Sequence, residues 1–160
     1  VLEIGIGTGS NVRHYHDVQS VAAIDPDGAS LQYAKAKQNG SSTTFRLYQA
    51  RAEELPFPDE WFDSVIATLV FCTVGDPLVG LSEVFRVLKK GGAFRMVEHV
   101  RADQRIIANV QDAMTPMWKV VADGCHLNRN TVESVEHAGF RVKRVQKRFA
   151  GIFVGIDAVK

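Results

Sequence analysis

Val1-Leu2-Glu3-Ile4-Gly5-Ile6-Gly7-Thr8-Gly9-Ser10-Asn11 opens the chain, and its reading decides the fold. The pattern predicts a short buried strand, then a glycine-rich turn, then a helix. That is the start of a βαβ unit that holds a nucleoside cofactor. Glycines let such a turn bend sharply and approach a ligand without Cβ obstruction. A dinucleotide site wants G-x-G-x-x-G/A, with a pyrophosphate on the helix N-terminus. Here the third glycine falls one place early, at Gly9, and Ser10 stands where glycine or alanine belongs. Glu3 adds an acid at the strand end, which would repel phosphate and suit an ammonium group. S-adenosylmethionine, with an amino group, a sulfonium and no phosphate, is the cofactor this pattern favours.

Strand and helix patterns alternate beyond the turn, which favours a parallel sheet covered on both faces. Residues 21–25 read as a strand ending in Asp25-Pro26-Asp27-Gly28, and a helix follows over about 29–38 with Gly40 as its cap. Residues 43–48 and 62–69 read as strands, and 52–55 as at most one helical turn. Leu78, Leu81, Phe85 and Leu88 recur at helical spacing before Lys89-Lys90-Gly91-Gly92, which reads as the helix's C-terminal cap. Residues 93–99 form a further strand. A helix over 104–121 is expected to kink near Thr115-Pro116, and a second runs over 131–137. Residues 140–149 and 152–159 close the chain as a hairpin. The expected fold class is α/β, a Rossmann-like, doubly wound and mainly parallel sheet with a C-terminal antiparallel hairpin strand.

With 160 residues and 46% apolar content, the chain is expected to form a single domain with its own core. A net charge of +1 offers no global electrostatic argument for nucleic acid. Cys72 and Cys125 lie far apart and in no metal-ligand spacing, so a reducing, cytoplasmic setting is expected and no metal is. No apolar run approaches the roughly 18 residues of a membrane span. The chain starts with valine in mid-strand, so a preceding segment is expected, and membrane association through it stays open.

Asp25 is the second anchor, about 20 residues beyond the first glycine, where an acid accepts hydrogen bonds from ribose hydroxyls. The alternative for Asp25 is an Asx-Pro turn cap. The third anchor is Ala52-Glu53-Glu54-Leu55-Pro56-Phe57, followed by Asp59-Glu60-Trp61-Phe62-Asp63. With Arg86-Val87-Leu88-Lys89-Lys90-Gly91-Gly92, these motifs resemble the class I S-adenosylmethionine-dependent methyltransferases, in particular their type 11 domain. Lys90 stands where proline is usual. The resemblance spans essentially the whole chain. It implies that Glu3, Gly5, Gly7 and Gly9 line the methionine and ribose side of the cofactor, and that Asp25 holds the ribose. Pro26 would lie against the adenine, Ala52 and Glu53 at its edge, and Thr68 and Leu69 under the methionine moiety. Arg51 stands where many relatives carry an acid that reads the adenine amino group. A cation cannot accept that hydrogen bond, so backbone carbonyls or Glu53 are expected to do so.

Val97-Glu98-His99-Val100, Trp118 and Asp123-Gly124-Cys125-His126-Leu127-Asn128-Arg129-Asn130-Thr131 resemble a narrower branch, which includes animal methyltransferase-like proteins that methylate small thiols. The resemblance implies a small-molecule acceptor, with a thiol as first candidate; no nucleic acid is expected, because the sequence shows neither an added binding domain nor an aromatic-interleaved basic surface. His99, at a strand's C-terminal end, and Asp123 are the candidate proton acceptors. The alternative for His99 is a residue merely hydrogen-bonded at the strand end. Cys72 and Cys125 read as core thiols, and Trp61 and Trp118 as core or lid aromatics. Arg141, Lys143, Arg144, Lys147 and Arg148 read as a solubilised edge strand rather than a binding patch. Other functional readings are a quinone- or lipid-biosynthesis methyltransferase, a nicotinamide-dependent oxidoreductase, and a non-catalytic cofactor-binding module.

Overall fold

The computed structural model describes residues 1–39, 41–121 and 124–160. Among them, seven strands form one sheet: β1 (Leu2–Ile4), β2 (Ser20–Asp25), β3 (Thr44–Gln49), β4 (Phe62–Thr68), β5 (Leu88–His99), β6 (Arg141–Arg148) and β7 (Phe153–Val159). Their spatial order is β3-β2-β1-β4-β5-β7-β6. The first five run parallel, while β7 lies antiparallel to both β5 and β6. The mainly parallel, Rossmann-like sheet with its antiparallel closing hairpin is thus present, and the basic β6 is an edge strand. Chain order reverses between β1 and β4, which makes their carboxyl ends the topological switch point where open α/β sheets bind ligands.

The helices are α1 (Gly28–Lys37), α2 (Pro77–Val87), α3 (Arg105–Val121) and α4 (Thr131–His137). Asp27 starts α1 by accepting the N–H groups of Ala29 and Ser30 at 3.1 and 3.0 Å. Asp76 starts α2 in the same way through Leu78 and Val79, and Pro77 needs no donor in the first turn. On one face of the sheet Leu2, Ile4, Val65, Phe94, Met96 and Ile156 pack against the apolar sides of α2 and α4. On the other, Val21 and Ala23 meet Ala34 of α1, Val12 and Tyr15.

Several local expectations are corrected. The helix after the glycine turn is a single 3-10 turn, Val12–His14. Its neighbours bond tertiary partners instead of one another: the Tyr15 hydroxyl donates to Glu3, and the Tyr15 carbonyl accepts from Thr43 Oγ1 at 2.9 Å. Residues 52–55 form a turn closed by a bridge between Arg51 and Glu54. Leu88 already pairs with Phe62, so Lys89–Gly92 enter β5 after a register shift instead of trailing α2. A Cβ on Gly92 would stand 2.8 Å from both Leu88 Cγ and Lys89 O, so glycine is what lets the chain fold this tightly. Helix α3 spans the expected segment and carries Pro116 inside it, with Thr115 Oγ1 bonding the Gln111 carbonyl at 2.6 Å. Trp61 and Trp118 are both exposed, so neither belongs to the core. The expected Gly40 cap lies outside the described residues.

Candidate active site

A cleft of about 610 Å³ opens where β1, β2 and β4 end. Its floor is the glycine turn. Gly5 has φ +67°, and a Cβ there would stand 2.4 Å from Val70 Cγ2 on the facing wall, so only glycine leaves the gap open. Gly7 has φ +52° and donates its N–H to Asp25 Oδ2 at 2.8 Å, which joins the turn to the end of β2. Gly9 does not line this cleft. It faces α1, where a Cβ would lie 2.9 Å from the Ala34 Cα, so its part is close packing of the turn.

Asp25 is buried and lines the cleft. Its Oδ1 accepts the Asp27 N–H at 2.9 Å, so it is the cap of an Asx turn. Each carboxylate oxygen has two lone pairs, and one on each oxygen remains after the Gly7 and Asp27 bonds. The turn and a ribose-binding role are therefore compatible, and the turn aims the carboxylate.

Glu3 lies beneath the cleft, which corrects its expected place along the cofactor. It is 1% exposed, and its two oxygens accept from Asn11 Nδ2 and the Tyr15 hydroxyl, both at 2.9 Å. Burial pushes its pKa up, against the pull of those two bonds. Asn11, which does line the cleft, also donates to Thr68 Oγ1 at 3.2 Å. Glu3 thus acts through Asn11, which ties the end of β4 to the glycine turn. Sequence reasoning quoted Asn11 without assigning it this part.

On the expected adenine side, Pro26, Ala52 and Glu53 all border the cleft. The Arg51 guanidinium pairs with Glu53 at 3.5 Å. Glu53 Oε1 also accepts the N–H groups of Gly75 and Asp76 at 3.0 and 3.3 Å. Burial opposes the charged form of Glu53, but the backbone donors and Arg51 outweigh it and hold the carboxyl below its ordinary range. Glu53 therefore fastens the loop before α2, and its Oε1 is already engaged.

Thr68 and Leu69 close the cleft from the β4 side. Leu69 adopts φ +57°, a left-handed conformation that costs a side-chain-bearing residue roughly 1–2 kcal/mol. The surroundings enforce it. Glu98, fully buried, accepts the N–H groups of Val70 and Phe71 at 2.8 and 2.9 Å and of Cys72 at 3.2 Å. Arg129 donates to the carbonyls of Phe71 and, at 2.7 Å, Val74. The sequence showed both residues as parts of a signature but gave them no role.

His99 stands at the end of β5, two residues past Val97, the register partner of Thr68. Its ring stacks on Phe153 at 4.9 Å, and Nδ1 lies 3.9 Å from Cys125 Sγ. Burial alone holds its pKa below the ordinary value of 6.5. Asp123, the other candidate proton acceptor, lies outside the described residues. Cys72 and Cys125 are buried together with Leu127.

The chain belongs to the methyltransferase domain family that matches residues 2–96. It is 36% identical to the rat thiol S-methyltransferase TMT1B over 144 residues, which are 88% of this chain and 59% of that one. It is 37% identical to a phosphatidylethanolamine N-methyltransferase of Cereibacter sphaeroides over 116 residues, 71% of this chain and 57% of the relative. The chain therefore spans about 60% of the length of these relatives. Its fold is similar to the crystal structure of a putative methyltransferase from Bacillus halodurans, with a TM-score of 0.78 at 25% identity over 91% of this chain and 64% of that one.

Proposed function

We propose that this protein transfers a methyl group from S-adenosylmethionine to a small-molecule acceptor, with a thiol as the first candidate. The reading is carried by the makeup of the cleft: glycine backbone and the Asp25 carboxylate face it, and Arg51, its one cation among the described lining residues, is paired to Glu53. Such a cleft suits a phosphate-free, positively charged nucleoside and disfavours a dinucleotide. Asp25 would hold the ribose hydroxyls through its remaining lone pairs. Pro26 and Ala52 would flank the base, and Gly5, Gly7, Thr68 and Leu69 would border the methionine portion. When bound, the cofactor supplies a methyl group on a sulfonium, already an excellent leaving group.

The protein's own work is then alignment and proton removal. Alignment of two reactants can supply roughly 7–11 kcal/mol of a barrier. Glu98 and Arg129 fix the loop at residues 70–74 beside the expected methyl position. His99, whose pKa burial lowers, can accept the acceptor's proton at the end of β5, two residues past the register partner of Thr68. Asp123 is retained as the second candidate for that step. The likeness to thiol S-methyltransferase TMT1B supports a thiol, while the phosphatidylethanolamine relative favours a lipid amine as second reading.

The test is mass spectrometry after incubation of full-length protein and isotopically labelled S-adenosylmethionine with a small alkyl thiol, a phenol and phosphatidylethanolamine. Labelled thioether is the expected product. Labelled lipid amine alone would replace the first reading with the second, and no labelled product would refute both.

A further inference from the structure

Gly155 sits in the middle of β7 with no local reason to be glycine. Its φ is not left-handed, and the register runs without a break from Phe153 to Asp157 against both β5 and β6. Neither a tight turn nor a bulge therefore calls for it. A Cβ placed there would meet nothing nearer than Gln146 Cβ, at 3.8 Å. Among the described glycines it alone joins an ordinary backbone to such open space. Glycine inside a strand costs stability, and apart from bulges and bends it marks places where a ligand or another backbone comes close. No described residue outside its own segment, other than its ladder partner Gln146, comes within 4 Å of that position.

The space over Gly155 adjoins the cofactor cleft. Thr68, Val97 and Gly155 are successive register partners across β4, β5 and β7, so they share one face of the sheet. All three line a hollow of about 280 Å³, and Thr68 lines the cleft as well. Helices α2 and α4 pack on the opposite face, against Phe94, Met96 and Ile156. Val97 is left 45% exposed. One row further from the cleft, Arg95 and Asp157 pair at 3.5 Å and end the hollow without net charge. Toward the cleft, the stacked rings of His99 and Phe153 stand two residues along the same face.

We propose that this hollow is the acceptor subsite and that Gly155 sets the size of acceptor it takes: a small uncharged thiol whose apolar body lies over Gly155 against Val97. The inference rests on the functional reading above and adds to it where the acceptor sits and what shape it has. The thiol end points to Thr68, beside the expected methyl position. The Leu69 N–H donates to the Val97 carbonyl at 2.8 Å, so the floor of the subsite is tied to the wall of the cleft. A charged body gains nothing there, because Arg95 and Asp157 already satisfy each other. A side chain at position 155 would fill the space the acceptor uses.

Gly155→Ala puts one methyl group into open space and is expected to keep or raise the thermal unfolding midpoint, since the strand loses a glycine and strains no contact. Steady-state kinetics of the full-length protein with benzenethiol and ethanethiol then read the subsite. Gly155→Ala is expected to raise the KM for benzenethiol about threefold more than that for ethanethiol, and Gly155→Val about tenfold more. A parallel rise for both thiols, or none, overturns the proposal. So does a midpoint that Gly155→Ala lowers, since the glycine would then serve packing against another part of the chain or a second copy. Binding without turnover separates the subsite from the functional reading. Benzenethiol added to wild type saturated with S-adenosylhomocysteine is expected to shift the Val97 methyl signals in 13C NMR, assigned from a Val97→Ala sample. Unshifted Val97 signals overturn the proposal even where thiols are methylated. Shifted signals with no methylation of any acceptor place the failure in the functional reading.

Discussion

Glu98 and Arg129 hold opposite poles of one loop. The carboxylate collects the N–H groups of residues 70–72, while the guanidinium collects the carbonyls of Phe71 and Val74. Between them they sustain the left-handed turn at Leu69 that shapes the cleft. Replacing Glu98 by glutamine turns at least one acceptor into a donor that faces backbone donors. Glu98→Gln is expected to lower stability by about 1.5–3 kcal/mol, the scale of hydrogen bonds to a charged group. It should also weaken S-adenosylhomocysteine binding. Thermal unfolding with and without that ligand checks both, and an unchanged midpoint and affinity would remove the loop from the account.

Gly5 and Val70 supply a second prediction. Gly5→Ala puts a methyl group 2.4 Å from Val70 Cγ2 on a backbone at φ +67°. It should cost about 1–3 kcal/mol, as overpacking does, and abolish measurable cofactor binding. Val70→Ala in the same chain removes the clash but not the backbone strain, so the double variant should recover part of the stability. If it recovers none in denaturant titration, contact with Val70 is not the cause.

Asp25 combines turn and site. Asp25→Ala should weaken binding of S-adenosylmethionine about tenfold or more, since each charge-assisted hydrogen bond is worth about 1.5–3 kcal/mol. Calorimetry with near-unchanged affinity would leave Asp25 as a turn residue alone.

Arg86 links α2 to the Leu-Pro-Phe segment. It bonds Glu83 through Nε at 2.6 Å and Nη2 at 2.8 Å, and it reaches the carbonyls of Leu55 and Phe57 and the Asp59 carboxylate. Hydrogen bonding from Arg86 holds the Glu83 carboxyl below its ordinary value of 4.5. A depressed carboxyl contributes stability that is complete above the unfolded value and lost as pH falls through the folded one. The unfolding midpoint should therefore drop below about pH 4.5, and Glu83→Gln should flatten that part of the profile. Identical wild-type and variant profiles would assign the acid sensitivity elsewhere.

The parts of the site written in local chemistry were legible in the sequence. Gly5 and Gly7 must turn the chain after a strand, and Asp25-Pro26-Asp27 spells a turn and a helix cap within a few residues. What escaped depends on contacts far apart along the chain. Glu98 meets its backbone donors 26 to 28 positions away, and Arg129 its carbonyls 55 and 58 positions away. No periodicity marks such a bond, because a carboxylate can satisfy any exposed N–H that the fold brings near. Glu3 misled for a related reason: it sits inside β1, 1% exposed and beneath the cleft, where Asn11 and Tyr15 are its partners and no ligand in the cleft reaches it. The 3-10 turn at Val12–His14 follows from those same claims on Tyr15.

Isothermal titration of the full-length protein with S-adenosylhomocysteine, and separately with reduced nicotinamide adenine dinucleotide, bears most directly on the cleft. One saturable site for the first ligand and no heat from the second is the predicted outcome. Saturable binding of the dinucleotide, or no uptake of S-adenosylhomocysteine by folded protein, would contradict the account.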